Sequence, residues 1–423
     1  MTAARTEPPA ATRTATPSYD LTVDHDETDW AHYATDWATP TTAPGELTVE
    51  TLVTNLEIPW DLTVAANGDM FVTERTGRLL RYEEGTVADV ASPADAIDAG
   101  SVEPGSDESS WWVDGGEGGT MGVAAHPNYP DVPLVYLYYT ANGDDGELVN
   151  RLAYVDVDAD DPATTTTILE APASTVHNGG RIAFGPANYL WVCVGDSGAP
   201  ELGADPSSLA GSVLRLEPDG RAPAGNPDRG DDADRRIYSM GLRNPQGLSW
   251  LPDASPVAVQ HGSGPDEVNL LGDGGNHGWP AADRPDEYAG SDYRRPVAST
   301  VFEDTWAPSG SVCYTGEAVP SLRNRLLVGC LWGQELKIVT LSPPDGELPP
   351  LAETGVRHTG EWLDGRFVAT THSRLSDELG RIRHVTQGAN GELYAITSNR
   401  DGRATGDFPT ERDDRLVRLT DDS

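Results

Sequence analysis

Residues 60–82 read WDLTVAANGDMFVTERTGRLLRY, and this stretch indicates how the chain folds. Two short apolar runs, 60–65 and 70–74, flank the turn Ala66-Asn67-Gly68-Asp69, and a third run, 77–82, follows directly. Brief runs rich in Val, Leu and aromatic residues, separated by Asn and Gly turns, are typical of neighbouring antiparallel strands. The stretch therefore predicts a strand–turn–strand unit rather than helices.

The same layout returns along the rest of the chain. From Glu46 onward, β-type runs alternate with Gly, Pro, Asn and Asp turns, with almost no helical periodicity. Six units over about 375 residues give roughly 60 residues per unit, enough for a four-stranded blade with long loops. The later units contain the runs 121–125, 134–140 and 148–157; 181–184, 189–194 and 212–216; 237–240, 247–251, 257–260 and 268–271; 311–314, 325–331 and 335–341; and 382–386, 392–397 and 415–419.

These repeats predict an all-β fold, a six-bladed β-propeller of four-stranded antiparallel blades over residues 47–423. Radial repetition buries each sheet between its neighbours and protects the strand edges. A pair of β-sandwiches explains the strands but not the recurring layout. Residues 1–46 are rich in Thr, Pro and Asp and are predicted to be a leader or linker, although the start lacks the apolar core of a signal peptide.

The charge of the chain is strongly negative, with 68 Asp and Glu against 29 Lys and Arg and a net charge of −39. Lys337 is the only lysine, and acid is spread along the whole chain. Such a surface suits solubility at very high salt and predicts a halophilic source, with an ordinary acidic secreted protein as the alternative. A polyanion such as nucleic acid would be repelled. We also expect no transmembrane span, because no apolar run approaches the roughly 18 residues required.

The three cysteines, Cys193, Cys313 and Cys330, each lie in an apolar run, and none forms a CxxC pair. Buried structural thiols are therefore favoured over a disulfide framework or a zinc site.

Two turns carry dense polar motifs. The first, residues 176–181 (VHNGGR), sets His177 beside glycines that allow close backbone approach, so this histidine is a candidate general base. A loop histidine without a role is the alternative. The second, residues 241–247 (GLRNPQG), packs a guanidinium and two side-chain amides into one turn, which suits an anionic ligand or a surface salt bridge.

Two further motifs suggest bound ions. Residues 261–267 (HGSGPDE) combine a glycine-rich loop with carboxylates, and hard oxygen donors of this kind suit Ca²⁺, although the spacing matches no EF-hand. Arg381 and Arg383 stand two apart on a predicted strand and so share a face. They point either to an anionic ligand or to pairing with surface acids. Glu117, within GGEGG, and Asp196, within GDSG, are compatible with plain turns.

Taken together and in order, these motifs resemble the soluble pyrroloquinoline quinone (PQQ) dependent sugar dehydrogenases, the glucose/sorbosone and aldose sugar dehydrogenase family. The resemblance runs from about Leu52 to Leu419. Its specific part is the ordered set of HNGG at 177–180, RNPQG at 243–247 and the paired arginines at 381 and 383. The family fold is a six-bladed β-propeller, in agreement with the repeats.

The resemblance implies catalytic roles for two residues. His177 stands where the family's general base removes the proton from the anomeric hydroxyl of the sugar, while hydride passes from C1 of the sugar to C5 of the quinone. Arg243 would stabilise the negative charge that develops on a quinone oxygen.

The resemblance also implies the cofactor contacts. Asn244 and Gln246 would hold PQQ, and Arg381 and Arg383 would pair with its carboxylates. Glu117 and Asp196 are expected to line the site. Trp332 falls where the glucose enzyme has a cofactor-contacting lysine. The backbone carbonyls of Gly262 and Ser263 match those that hold the Ca²⁺ ion of the cofactor.

The implied function is a PQQ- and Ca²⁺-dependent oxidation of aldoses to aldonolactones, with electrons passed to an external acceptor. Enzymes of this kind usually work outside the cytoplasm. Two alternatives stay open: a Ca²⁺-dependent lactonase, which needs neither quinone nor paired arginines, and a non-catalytic propeller that binds sugar or a partner. The change from lysine to Trp332 favours the latter.

Overall fold

The computed structural model describes residues 19–97, 116–160, 164–301 and 304–422. In these ranges 25 strands form six antiparallel sheets. Helical structure in the same ranges is limited to one short helix, α1 (Pro200–Gly203), and three 3-10 turns, Glu27–Asp29, Pro186–Asn188 and Pro320–Leu322. The predicted all-β class is confirmed.

The strands follow one another blade by blade after an initial strand, β1 (Leu47–Val53). The first blade is β2 (Pro59–Val64), β3 (Met70–Glu74), β4 (Arg78–Glu83) and β5 (Thr86–Ala91); the second is β6 (Thr120–Ala125), β7 (Leu134–Asn142), β8 (Leu148–Asp156) and β9 (Thr165–Pro172). The third is β10 (Ile182–Phe184), β11 (Leu190–Val194), β12 (Ser212–Leu216) and β13 (Ile237–Met240); the fourth is β14 (Pro245–Trp250), β15 (Pro256–Gln260), β16 (Glu267–Leu270) and β17 (Ala298–Ser299). The fifth is β18 (Pro308–Tyr314), β19 (Arg325–Cys330), β20 (Leu336–Ser342), β21 (Val356–Arg357) and β22 (Val368–Arg374); the sixth is β23 (Ile382–Gln387), β24 (Leu393–Thr397) and β25 (Leu416–Asp421).

The sheets close into a ring. Strand β2 contacts β6 and β23, β6 contacts β10, β11 contacts β14, and β18 contacts both β14 and β23. The sixth blade is completed by β1, which pairs antiparallel with β25 from Leu47↔Asp421 to Val53↔Leu416. Strands from opposite ends of the described chain therefore share one sheet, and the predicted six-bladed propeller is confirmed.

One detail of the predicted blades is wrong. Residues 237–240 were assigned to the fourth unit, but they form β13, which pairs with β12 through Leu214↔Ile237 in the third blade. The fifth blade has five strands, because the two-residue β21 adds to the outer edge of β22. Apolar runs indicate where strands lie, but they do not indicate which strands pair with each other.

Each blade is buried on both faces, as β7 illustrates. Tyr136 and Tyr138 point into one apolar cluster with Trp60, whereas Val135 and Leu137 point into another with Phe71. This alternation follows from the two-residue period of a strand. The three cysteines are free and buried within these layers, as predicted.

The segment 19–46 runs along the outside of the propeller. The Ala34 N–H donates to the Pro252 carbonyl at 2.7 Å, and the Arg325 guanidinium donates to the Thr42 carbonyl at 2.6 Å. In the described ranges, no helix has the length and apolarity needed to cross a membrane.

Candidate active site

Blade topology brings the predicted site residues to one mouth of the propeller. In an antiparallel blade, the turn after the second strand and the connection after the fourth lie at the same end. The predicted residues lie on such segments: Glu117 before β6, His177 before β10, Asp196 after β11, Arg243 and Asn244 before β14, Gly262 and Ser263 between β15 and β16, Trp332 after β19, and Arg381 before β23. Gln246 and Arg383 are the second residues of β14 and β23, which start at this end.

A cavity of about 460 Å³ opens at this mouth. Six of the predicted residues line it, namely Glu117, Asn244, Gln246, Trp332, Arg381 and Arg383, together with Trp60, Arg75, His261, Thr305, Ala307, Pro308, Leu331 and Arg403. The Trp332 main-chain N–H donates to the Trp306 carbonyl at 3.2 Å. Its side chain lines the cavity but is 61% exposed, so the indole lies at the edge of the cavity.

The cavity wall is locally cationic in an acidic protein. Among the described residues, four guanidinium groups line it, from Arg75, Arg381, Arg383 and Arg403, against one lining carboxylate, that of Glu117. Burial lowers the pKa of Arg75 to about 10, which leaves its side chain charged at neutral pH. Indole rings and cations in one concave wall suit a planar anionic ligand.

The two predicted strand arginines share a counter-ion. One oxygen of Asp401, Oδ2, lies 2.7 Å from Arg381 Nη2 and 3.4 Å from Arg383 Nη2. Burial alone would raise the pKa of Asp401, but the charges of Arg381 and Arg383 lower it, so the carboxylate is ionised at neutral pH. The Nε of Arg383 is buried and has no hydrogen-bond partner within the described residues, which leaves a donor for a ligand.

His177 is held by Asp196. The His177 Nδ1 lies 2.8 Å from Asp196 Oδ1, and the same oxygen accepts the Gly198 N–H at 2.8 Å. The other oxygen, Oδ2, accepts the Trp279 indole N–H at 2.9 Å. With Nδ1 protonated toward the carboxylate, Nε2 is the nitrogen left to accept a proton. The arrangement has the form of a base oriented by an acid.

The backbone of His177 adopts an unusual conformation. Its φ is +53°, in the left-handed region that side-chain-bearing residues rarely occupy. The His177 N–H donates to Glu117 Oε2 at 2.9 Å, and the His177 carbonyl accepts the Ser197 N–H at 3.0 Å. A Cβ on Gly195 would lie 1.9 Å from that carbonyl, so only glycine permits this approach. Burial would raise the pKa of Glu117, but the hydrogen bond from His177 and the charge of Arg403 lower it.

Arg243 ties the base to the cavity. Its carbonyl accepts the Asp196 N–H at 2.8 Å, and its Nη1 donates to the His261 carbonyl at 3.1 Å. The Asn244 side chain accepts the Gly179 N–H at 3.0 Å, two residues after the base. Burial lowers the pKa of Arg243, while the nearby Asp196 and Glu117 oppose that change.

The loop with Gly262 and Ser263 offers backbone oxygens rather than carboxylates. Asp266 Oδ1 accepts from His261 Nδ1 at 2.8 Å, and Oδ2 accepts the Trp306 N–H at 2.7 Å, so this carboxylate is engaged within the protein. In the described ranges, no group of three or more His, Cys, Asp or Glu side chains could hold a metal ion. A cation here would depend on main-chain carbonyl oxygens.

Three charged side chains at this mouth, Arg75, Asp401 and Arg403, are absent from the sequence-based set. Arg75 donates to the Gly116 and Gly118 carbonyls at 2.9 Å, and Arg403 Nη1 lies 3.3 Å from Glu117 Oε1. Together they secure the loop that carries Glu117. Arg75 directly follows the predicted strand 70–74, so its place at a strand end was readable from the sequence but its contacts were not. Asp401 and Arg403 lie in a loop that carries none of the resembling motifs.

Fold and cavity together define a six-bladed propeller with a cationic cavity at one mouth, near a histidine–aspartate pair. The Glucose / Sorbosone dehydrogenase family model matches residues 56–406, and the chain belongs to this family.

Named relatives agree with the family. The chain is 28% identical to aldose sugar dehydrogenase YliI of Escherichia coli over 85% of this chain and 92% of that protein. It is 29% identical to quinoprotein glucose dehydrogenase B of Acinetobacter calcoaceticus over 54% of this chain and 51% of that protein. The PQQ-bound aldose sugar dehydrogenase of Streptomyces coelicolor aligns with a TM-score of 0.69 at 29% identity, covering 90% of this chain and 99% of that one. The family and these relatives are sugar dehydrogenases, which supports an oxidoreductase.

Proposed function

We propose that the protein oxidises aldose sugars at C1 to aldonolactones, with PQQ held in the cavity and Ca²⁺ beside it. The observation that carries the proposal is the His177–Asp196 pair next to a cationic cavity walled by indole rings. Bound PQQ would supply the hydride acceptor. His177 Nε2 would take the proton from the anomeric hydroxyl, and Asp196 would stabilise the imidazolium that results.

The cavity residues fit a tricarboxylate quinone. Arg381 and Arg383 would hold carboxylate groups, with the unpartnered Nε of Arg383 as one donor. Asn244 and Gln246 would position the ring system, and Trp332 would cover it at the rim. Arg243 would stabilise negative charge on a quinone oxygen.

The fit to Ca²⁺ depends on few protein ligands. The carbonyls of Gly262 and Ser263 are hard oxygen donors of the correct type. Ca²⁺ takes about six to eight oxygens, so cofactor oxygens and water would complete the set. Asp196 and Glu117 contribute charge near the site but are engaged by His177.

The test is reconstitution of purified protein with PQQ and CaCl₂ in molar KCl, followed by dye reduction with a panel of aldoses. Activity should require PQQ and aldose and should be lost with a chelator. The His177→Ala variant should bind PQQ normally but turn over at least about 1,000-fold more slowly, since general base and orientation are both removed. Full turnover by that variant would remove the assigned mechanism, and no saturable PQQ binding would favour a non-catalytic propeller.

We infer that the protein passes electrons to an external acceptor outside the cytoplasm. The support is the family resemblance, and cell fractionation with activity staining tests it. Activity confined to the cytosolic fraction would contradict this location.

A further inference from the structure

A line of buried hydrogen bonds leads from the main chain of Arg243 into the fourth blade. The Arg243 N–H donates to Gln260 Oε1 at 2.7 Å, and Gln260 Nε2 donates to Glu267 Oε2 at 2.7 Å. Gln260 ends β15 and Glu267 begins β16, where the two are paired in register. They therefore close the neck of the loop 261–266, which carries Gly262 and Ser263.

Each hydrogen bond in this line has a defined direction. A main-chain N–H can only donate, so the Gln260 carbonyl oxygen faces Arg243 and its NH₂ group faces Glu267. Glu267 Oε2 also accepts from Asn269 Nδ2 at 3.1 Å and so faces two donors. Gln260 and Glu267 are 5% and 2% exposed, so no bulk solvent can substitute for a lost partner.

The second oxygen of Glu267 tolerates either protonation state. Tyr288 OH lies 2.8 Å from Glu267 Oε1 and 3.2 Å from the His277 carbonyl. Burial raises the pKa of Glu267 to about 7. A protonated Oε1 would donate to the Tyr288 oxygen, while the Tyr288 hydroxyl proton turns to the His277 carbonyl. Oε2 stays an acceptor in both states, so the link to Arg243 is preserved.

We propose that Glu267 is a positioning residue for Arg243. Through Gln260 it holds the main chain at Arg243, and with it the place at which the guanidinium meets the reacting group. The catalytic part of this inference rests on the proposed function, whereas the structural part does not. Small displacements of a charged group in a site reduce the rate strongly, which gives the link its importance.

The experiment compares three variants of the full chain by hydrogen exchange, PQQ titration and steady-state kinetics. Glu267→Leu removes the acceptor. Glu267→Gln keeps a carbonyl oxygen toward Gln260 and offers its NH₂ to Tyr288. Tyr288→Phe is the matched control, because it disturbs the same buried network without touching the Gln260–Arg243 link.

For Glu267→Leu we expect about tenfold faster exchange in the peptide that contains the Arg243 amide, and about tenfold lower kcat with unchanged PQQ affinity. Glu267→Gln and Tyr288→Phe should stay within about twofold of the parent protein in both measurements. If Glu267→Leu does not fold, Gln260→Ala removes the same link and should show the same acceleration.

Unchanged exchange at Arg243 in the linkage variants would overturn the inference. So would equal acceleration in Tyr288→Phe, since that would show a general loosening of the blade. If the parent protein fails to oxidise any aldose, the proposed function fails, but the exchange comparison still decides whether Glu267 positions Arg243.

Discussion

At the scale of single residues, the candidate base depends on its neighbours more than on its own identity. Among the described residues the His177 imidazole is hydrogen-bonded to one side chain, that of Asp196, and its strained backbone is held by Glu117 and Ser197. Asp196 in turn satisfies two donors besides the imidazole, Gly198 N–H and the Trp279 indole. Loss of one carboxylate oxygen of Asp196 should therefore change the orientation and tautomer of the His177 imidazole.

Asp196→Asn tests this dependence. An asparagine has one acceptor oxygen and cannot serve the Trp279 indole on one side and the Gly198 N–H and His177 on the other. We expect kcat to fall at least about 100-fold, because the tautomer and orientation of His177 are lost, with little change in PQQ affinity. Asp205→Asn, at an exposed turn, is the control and should leave kcat unchanged. Normal kcat in Asp196→Asn would show that the imidazole needs no orienting carboxylate.

The pH dependence of stability is a second prediction at this scale. Burial raises the pKa of Glu267 from 4.5 to about 7, so between these values the folded protein holds a proton that the unfolded chain has released. The free energy of unfolding should then decrease as pH rises through that window, by roughly 3 kcal/mol at most. Denaturant unfolding of Glu267→Gln should lack this part of the decrease. Parallel pH curves for the two proteins would contradict the assignment.

At the scale of elements, the loop between β24 and β25 joins three parts of the mouth. Asp401 pairs with both Arg381 and Arg383, Arg403 pairs with Glu117, and the Thr405 N–H donates to Gln334 Oε1 at 2.9 Å. A single loop thus holds Arg381 and Arg383 in place and also contacts Glu117, which binds the main chain of His177. Because Arg381 and Arg383 are only 4% and 5% exposed, bulk water can screen their charges only weakly if Asp401 is lost.

Asp401→Asn should separate the folding role of this loop from ligand binding. Loss of the counter-ion leaves buried like charges and should destabilise the ligand-free protein by about 3 kcal/mol. The increase in Tm on addition of PQQ should become larger, because cofactor carboxylates would supply the missing negative charge. Thermal unfolding with and without PQQ measures both effects. Asp234→Asn, which loses a pair with Arg236 in the third blade, should leave the PQQ-dependent shift unchanged.

At the scale of the whole molecule, charge is divided between two roles. The chain carries a net charge of −39, yet four guanidinium groups of the described residues lie together on one cavity wall at the mouth. The net negative charge of the chain therefore does not describe the local charge of the cavity. It describes the surface, where repulsion between carboxylates opposes the folded state at low ionic strength.

The predicted halophilic behaviour can be tested by salt. Tm should rise by several degrees or more between low salt and molar KCl, because screening removes self-repulsion of the surface. A neutral osmolyte at equal osmolality is the control and should give a smaller increase. A Tm that is independent of KCl would favour an ordinary acidic protein.

The amino-acid sequence by itself determined the positions of most strands, the number of blades and the residue types at the mouth. Strand period and Asn or Gly turns are local properties, so residues 60–82 predict β2 to β4 without reference to any other part of the chain. The motifs around His177, Arg243 and Arg381 are likewise readable in short windows.

Only the tertiary structure decided which of these residues meet. Arg403 and Glu117 are 286 residues apart in the chain and touch only because the ring closes through β1 and β25. The assignment of residues 237–240 to the third blade, the shared counter-ion Asp401 and the Arg243–Gln260–Glu267 line depend instead on which strands pair within a blade and how the loops at their ends fold. Hydrogen-bond partners across blades are set by packing of the whole ring, and no local pattern encodes them.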